Sequence, residues 1–341
     1  MRIAIVTDAW SPQVNGVVRT LESIRRELEA MGHQVLVFSP DQFPSVPLPT
    51  YSEIKLALVT AERLGAALAA SAPDALHIAT EGPLGYAARR WCRRNGFPFT
   101  TAYHTQFPDY ISKRTGVPSR WIWPFMRRFH APSSAVMTAT ESVRRELRAH
   151  GIDNVVPWGR GVDLEAFSPD APPHPAFADL PRPIMLNVGR VAVEKNIEAF
   201  LECAQPGSKV VVGDGPARAA LERRYPDAHF LGALSGAPLA GAYSGADVFV
   251  FPSRTDTFGL VMIEALASGT PVAAYPVTGP IDVVTDAVAC LDPDLDIAIA
   301  GALSRDRAAC ARYGSQFTWE RSARQFLDAL VPIAHAFDQA A

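Results

Sequence analysis

No stretch of this chain offers the roughly 20 consecutive apolar residues that a membrane-spanning helix needs. The apolar run at its start, Ile3 to Val6, is too short for a signal peptide and reads as a buried first strand. Cysteine is scarce. Cys92, Cys203, Cys290 and Cys310 stand apart with no CxxC spacing, which implies neither a disulfide framework nor a zinc site and fits a reducing cytosol. Excess charge of one sign is missing too: a formal net charge of -3 over 341 residues carries no polyanion signature, and no nucleic-acid-binding motif is present. There is no low-complexity tract and no short repeat period. The loop after the first strand lacks the GxGxxG of nicotinamide-binding folds, and after Gly213 and Gly215 the third glycine position is held by Arg218. These absences leave a cytoplasmic protein whose contact with a membrane, if it has one, is peripheral.

What is present is an ordinary globular composition, 48% apolar and 20% charged, on a chain long enough for two domains of roughly 150 residues each. Short apolar runs alternate with helical patterns from the first residue, the rhythm of parallel sheets covered by helices. In the first half the strands are expected at Ile3 to Thr7, Val35 to Ser39, Ala75 to Ala79, Phe97 to Tyr103, Ala135 to Ala139 and Val155 to Trp158. A clear helix runs from Val17 to Met31, with Val17, Leu21, Ile24 and Leu28 on one face and Gly32 past its end. The proline-rich run from Phe167 to Pro175, with Pro181 and Pro183, reads as a linker. The rhythm then restarts with strands at Ile184 to Val188, Lys209 to Val212, His229 to Leu231, Val248 to Phe251 and Val272 to Ala274. The expectation is an α/β protein of two Rossmann-like domains, 1–166 and 167–317, with a last helix over 318–341 crossing back to the first domain. Both sheets would aim their loops into a cleft between the domains.

The most informative stretch runs from Pro252 to Val272. A strand ends at Phe251, a polar loop carries Asp256, and a helix begins near Gly259. The amides of Phe258, Gly259 and Leu260 at that helix start are orphan donors backed by the helix dipole, fit for a diphosphate or a sugar hydroxyl. Glu264 lies one turn in, and helical side chains lean toward the N-terminus, so its carboxylate points back toward the pocket of Asp256. A carboxylate accepts from two vicinal hydroxyls at once, which suits a ribose for Glu264 and a hexose for Asp256. The competing reading makes Asp256 a helix cap and Glu264 a solvated acid. Arg190 and Lys195, where the first strand of the second half ends, are two cations able to neutralise a departing diphosphate. A surface salt bridge with Glu194 is the alternative. In the first half, Gly16 at the start of the first helix lets backbone amides approach a diphosphate, against the plainer account of a tight turn. A lone histidine is more often structural than catalytic, but His104 directly follows a strand, at its carboxyl end and facing the same cleft. Gln106, Phe107 and Tyr110, on the same loop, are candidates for the acceptor side.

The string from Thr255 to Glu264 is similar to the acidic signature of retaining GT-B enzymes of glycosyltransferase family 4, two glutamates separated by seven residues. Here the first is Asp256, so the spacing is kept and one methylene is lost. The Thr-Asp-Thr-Phe-Gly version resembles the branch containing sulfoquinovosyl-diacylglycerol synthases, related lipid glycosyltransferases and mannosyltransferases. Further matches, in family order, are Asp8 to Val18, Arg160-Gly161-Val162-Asp163, Asn187 to Asn196, Gly213-Asp214-Gly215-Pro216 and Thr318-Trp319-Glu320, so the resemblance spans Ile3 to about Trp319. It implies a GT-B fold and the transfer of a hexose from a nucleotide sugar with retention at the anomeric carbon. It also implies catalytic roles for His104, Arg190, Lys195 and Asp256, the histidine touching the donor sugar. Donor contacts would come from Gly16, Arg190, Lys195, Asp256, Phe258, Gly259, Leu260 and Glu264. The leaving phosphate oxygen would take the acceptor's proton, and the protein would position and stabilise charge. The two cations stand in for a metal, so no metal and no cofactor is expected. Asp292-Pro293-Asp294, which looks like the acid pair of metal-dependent transferases, is assigned to a turn.

Between Ser112 and Phe129 the chain carries Lys113, Arg114, Arg120, Arg127 and Arg128 beside Trp121, Trp123, Phe125 and Phe129, with no acid among them. That mixture suits an anionic membrane surface. A helix packing its aromatics into the first domain is the equal alternative. Together with the branch resemblance it leads to a lipid acceptor, diacylglycerol first. UDP-glucose or UDP-glucuronate stand ahead of GDP-mannose as donor. A second reading is a mannosyltransferase using GDP-mannose on another glycolipid or a soluble acceptor. A non-catalytic nucleotide-sugar-binding protein is the alternative of a different class, told apart by whether donor is consumed.

Overall fold

The structure, a computed structural model, describes residues 1–13, 15–48, 51–108, 111–112 and 116–333. The chain divides into two units, one of Met1–Gly159 with the segment from Trp319 onward, the other Arg160–Thr318. Strands of the first are β1 (Arg2–Val6), β2 (Gln34–Phe38), β3 (Ser45–Leu48), β4 (Tyr51–Ala57), β5 (Ala75–Ile78), β6 (Thr100–Tyr103), β7 (Ala135–Thr138) and β8 (Val155–Pro157). Six of them form a parallel sheet in the order β2-β1-β5-β6-β7-β8, and β3 pairs with β4 in an antiparallel ribbon that the sequence reading did not foresee. Ile3, Ala4, Ile5 and Val6 are wholly buried, as a strand covered on both faces must be. The first helix runs Gly16–Ala30, one residue earlier than its apolar pattern indicates, because Asn15 caps it. Its inner face is Val18, Leu21, Ile24 and Leu28, and each buried leucine or isoleucine contributes about 1.5–3 kcal/mol.

In the second unit, β9 (Ile184–Val188), β10 (Ser208–Val212), β11 (His229–Gly232), β12 (Val248–Phe251), β13 (Val272–Ala274) and β14 (Ala289–Leu291) form a parallel sheet in the order β11-β10-β9-β12-β13-β14. The fold is α/β with two Rossmann-like sheets. The proline-rich run lies inside this unit and packs on the helix Gly236–Gly245. His174 N donates to Gly241 O at 2.9 Å, and Phe167 lies edge-on to Tyr243 at 5.6 Å. A Cβ on Gly241 would fall 2.5 Å from Pro172 O, so the small residues of that helix are the seat for the prolines.

The chain passes from the first unit to the second at Gly159–Arg160. The helix Trp319–Ala329 belongs to the first unit, where Phe326 meets the rings of His77 at 4.9 Å and Trp158 at 5.2 Å. Gln325 and Ser322 on it grip the backbone of Gly159, at 2.7 Å from its N–H and 2.8 Å from its carbonyl. Among the described residues, no helix is long and apolar enough to cross a membrane.

Candidate functional site

In an open parallel sheet the connections run one way from one strand and the other way from its neighbour, and ligands sit where they diverge, beyond the carboxyl ends. In the second unit that switch lies between β9 and β12. The loop leaving β9 carries Arg190 and Lys195, and the loop leaving β12 carries Asp256. Lys195 Nζ donates to Asp256 Oδ1 at 2.6 Å, so the two site groups pair with each other and Lys195 does not form the surface bridge with Glu194 that spacing allows. Asn196, in the left-handed conformation at φ 54°, adds a second tie from its side-chain amide to Pro252 O at 3.1 Å. The Asp256 side chain is 23% exposed. Burial pushes its carboxyl up, the Lys195 charge and hydrogen bond, with the neighbouring Ser253 hydroxyl, pull it down, and the net lies below the usual carboxylate range.

Two polar atoms in this loop are unsatisfied. Asp256 Oδ2 and Ser253 Oγ are buried and make no hydrogen bond among the described residues, a condition costing about 1–3 kcal/mol each that a hydroxyl-bearing ligand would relieve. The helix that follows is Leu260–Ala267, capped by Gly259 at φ 82° with no side chain bonded to its first amides. That leaves backbone donors at a positive helix end, as expected for Gly259 and Leu260. Phe258 contributes backbone alone, since its ring is buried against Phe317 at 6.3 Å. Glu264 is buried, not a solvated acid. Its Oε2 accepts from Tyr243 Oη at 2.8 Å. Arg190 is half-buried at the carboxyl end of β9.

The glycines of Gly213-Asp214-Gly215 have a steric reason. Their loop is laced to the loop of Arg190 by main-chain bonds, Val191 N to Asp214 O at 2.9 Å and Ala217 N to Val191 O at 3.0 Å. A Cβ on Gly213 would fall 1.8 Å from Gly189 O, and Gly213 itself sits at φ 139°. Gly213→Ala is therefore expected to destabilise the second unit by about 2–4 kcal/mol, read as a lowered denaturant midpoint. A change within 0.5 kcal/mol would show that the loops part freely. Gly279, at φ 96°, closes on the acidic loop in the same way, its absent Cβ 2.7 Å from Asp256 O. Asp294 caps the helix Leu295–Ala302 through Asp296 N at 2.9 Å and donates its own N–H to Asp292 at 2.7 Å, so this acid pair builds a turn.

In the first unit the switch lies between β1 and β5. Gly16 is exposed at its helix start, but Asn15 Oδ1 takes the amides of Val17 and Val18 at 3.0 Å each, which narrows the donors expected there. His104, after β6, lies edge-on to Trp158 at 5.4 Å. Gln106 is buried and Phe107 half-buried, while Tyr110, Lys113 and Arg114 fall outside the described residues.

The basic-aromatic segment splits between its two readings. In the helix Trp123–His130, Trp123, Met126, Phe129 and His130 face the core, and Trp123 stacks on His150 at 3.7 Å, which corrects its assignment to a membrane contact. Arg120, Trp121, Phe125, Arg127 and Arg128 are exposed, Trp121 at 68%. The residues supporting the candidate site that sequence reading did not single out are Asn15, Tyr243, Ser253, Asn196 and Gly279. Only Asn15 had a local signal, a capping residue before an apolar helix.

Residues 14–166 match the family described as Glycosyltransferase Family 4, and residues 182–305 match Glycosyl transferases group 1. The chain is 34% identical to a GDP-mannose-dependent alpha-mannosyltransferase of Mycolicibacterium smegmatis, over 92% of its own length and 91% of the relative's. It is 28% identical to an alpha-monoglucosyldiacylglycerol synthase of Streptococcus pneumoniae, over 81% and 71%. Among solved structures it resembles a sucrose-phosphate synthase from Thermosynechococcus elongatus, a GT-B fold, with a TM-score of 0.78 at 23% identity, covering 96% of this chain and 97% of that one.

Proposed function

The chain belongs to glycosyltransferase family 4, and from that premise we propose that it moves mannose from GDP-mannose to a lipid acceptor, with retention and without a metal. That it is a glycosyltransferase acting on a nucleotide sugar follows from the family. The observation that carries the reading is the buried, unsatisfied Asp256 Oδ2 beside Lys195, at the switch point of the second sheet. Asp256 accepts from a donor-sugar hydroxyl, and Lys195 and Arg190 hold the diphosphate while the bond to the anomeric carbon breaks. Glu264 takes the ribose hydroxyls. Mannose is favoured over the UDP-hexoses because a relative 34% identical over 92% of the chain is GDP-mannose-dependent. A lipid acceptor is favoured because another relative makes a glucosyldiacylglycerol.

The exposed Arg120, Trp121, Phe125, Arg127 and Arg128 supply the membrane contact. The test is incubation with a panel of GDP- and UDP-sugars, diacylglycerol and phosphatidylinositol, with and without chelator, and identification of the product by mass and anomeric configuration. Product from UDP-glucose alone would replace the donor assignment, and an inverted product would end the retaining one. Arg127→Glu with Arg128→Glu is expected to weaken binding to phosphatidylglycerol-containing vesicles by about tenfold or more, from roughly 1 kcal/mol per cation lost. Vesicle binding equal to that of the unaltered protein would remove this face from the account.

A further inference from the structure

Two acids stand at the switch point of the first sheet, Asp8 after β1 and Glu81 after β5. Asp8 is fully engaged with its own fold. Its Oδ1 accepts from Leu84 N at 2.9 Å, and its Oδ2 from Gly85 N at 3.2 Å and Thr80 Oγ1 at 2.9 Å. It thereby caps the helix Pro83–Asn95 from a distant loop, and a Cβ on Gly82 would fall 2.3 Å from its carboxyl carbon.

Glu81 is placed differently. Its Oε1 lies 3.1 Å from His130 Nε2, and because an ionised carboxylate only accepts, that nitrogen carries the hydrogen. His130 is wholly buried, its Nδ1 lies 3.0 Å from Thr101 Oγ1, and the rings of Tyr103 and Phe129 stand edge-on to it at 5.9 Å and 5.0 Å. The imidazole is thus fixed at both nitrogens and by both neighbouring rings. Yet the Glu81 side chain keeps 12% exposure, and its Oε2 makes no hydrogen bond among the described residues. One oxygen held by a buried ring, on a side chain that still reaches the surface, describes an oriented acceptor able to take a further donor. The helix Trp123–His130 joins this group to the exposed basic-aromatic face, since His130 is its last residue and Arg127 and Arg128 lie on its outside.

We propose that Glu81 binds the acceptor, its Oε2 accepting a hydrogen bond from a hydroxyl of the lipid headgroup, with His130 as the positioning residue. This rests on the glycosyl-transfer reading above and adds a residue to its acceptor side. Glu81→Gln keeps the length of the side chain and can still accept from His130, but it loses the charge that strengthens a hydroxyl contact. With GDP-mannose as donor and diacylglycerol or phosphatidylinositol in neutral-detergent micelles as acceptor, Glu81→Gln is expected to raise the acceptor KM about tenfold and leave the donor KM unchanged. His130→Asn should move the same constant by less. An unchanged acceptor KM overturns the proposal. So does a parallel rise in both KM values with a fallen melting temperature, the mark of a purely structural pair. Calorimetric titration with the same micelles reads the contact without turnover. If no sugar moves, the transfer reading fails by itself, while weaker micelle binding by Glu81→Gln still supports the contact and equal binding refutes it. Should Glu81→Gln not fold, Glu81→Asp, which withdraws the charge by one methylene, is read by the same criteria.

Discussion

A Lys195→Ala variant is expected to turn over about 10²- to 10³-fold more slowly than the unaltered enzyme. Lys195 is the cation that neutralises Asp256 at 2.6 Å, and in the proposed reading it meets the charge that gathers on the departing diphosphate. On that reading its removal takes away a transition-state contact, and it also strands a partly buried carboxylate without this counter-charge. Both effects fall on kcat. The carboxyl of Asp256, now held below its usual range by that cation, should titrate higher in the variant and give the rate profile a new acid limb at a less acid pH. The measurement is steady-state kinetics across pH with the panel donor that wild type prefers. A kcat within threefold of wild type, with the melting temperature preserved, would remove Lys195 from the catalytic set.

Glu264→Ala is expected to raise the donor KM about a hundredfold, with kcat less affected, because a charge-assisted contact to two ribose hydroxyls acts on ground and transition state alike. Glu264 is buried and held by Tyr243 Oη at 2.8 Å, so the alanine variant also leaves that hydroxyl without its acceptor. Tyr243→Phe separates the two effects, since it removes the tyrosine's hydrogen bond but keeps the carboxylate, and a rise of about five- to tenfold is expected. Calorimetric binding of GDP and of its 2′,3′-dideoxy analogue provides the check. The losses in both variants should shrink with the analogue. Equal losses for the two nucleotides would place Glu264 away from the ribose.

The parallel strands were legible because each is a short apolar run between turn residues, and β1, β5, β9 and β12 fall where those runs do. The ribbon of β3 and β4 carries Pro47 in its short first strand, a residue that breaks a strand pattern in the sequence although an edge strand tolerates it. β14, three residues long, offered too little pattern. The prolines from Pro169 to Pro175 imitate a linker by composition, and what they dock on, Gly241 and Gly245, is far along the chain. The same distance hid the site's supporting pairs. Tyr243 with Glu264, Lys195 with Asp256 and Glu81 with His130 are meetings that no local spacing encodes. The candidate residues were readable from the sequence, but the groups that hold them in place were not.

The lacing of the Arg190 loop to the Gly213-Asp214-Gly215 loop consists of amides and carbonyls alone. Its course therefore does not depend on which side chains it displays, provided the glycines stay. Asp214, whose side chain is 64% exposed, adds only local ties to this trellis, accepting from Gly215 N at 2.7 Å and facing Arg218 at 3.6 Å. An engineer could therefore vary the exposed Asp214 without first having to rescue the fold, while Ala192, buried at 3% exposure, must stay small.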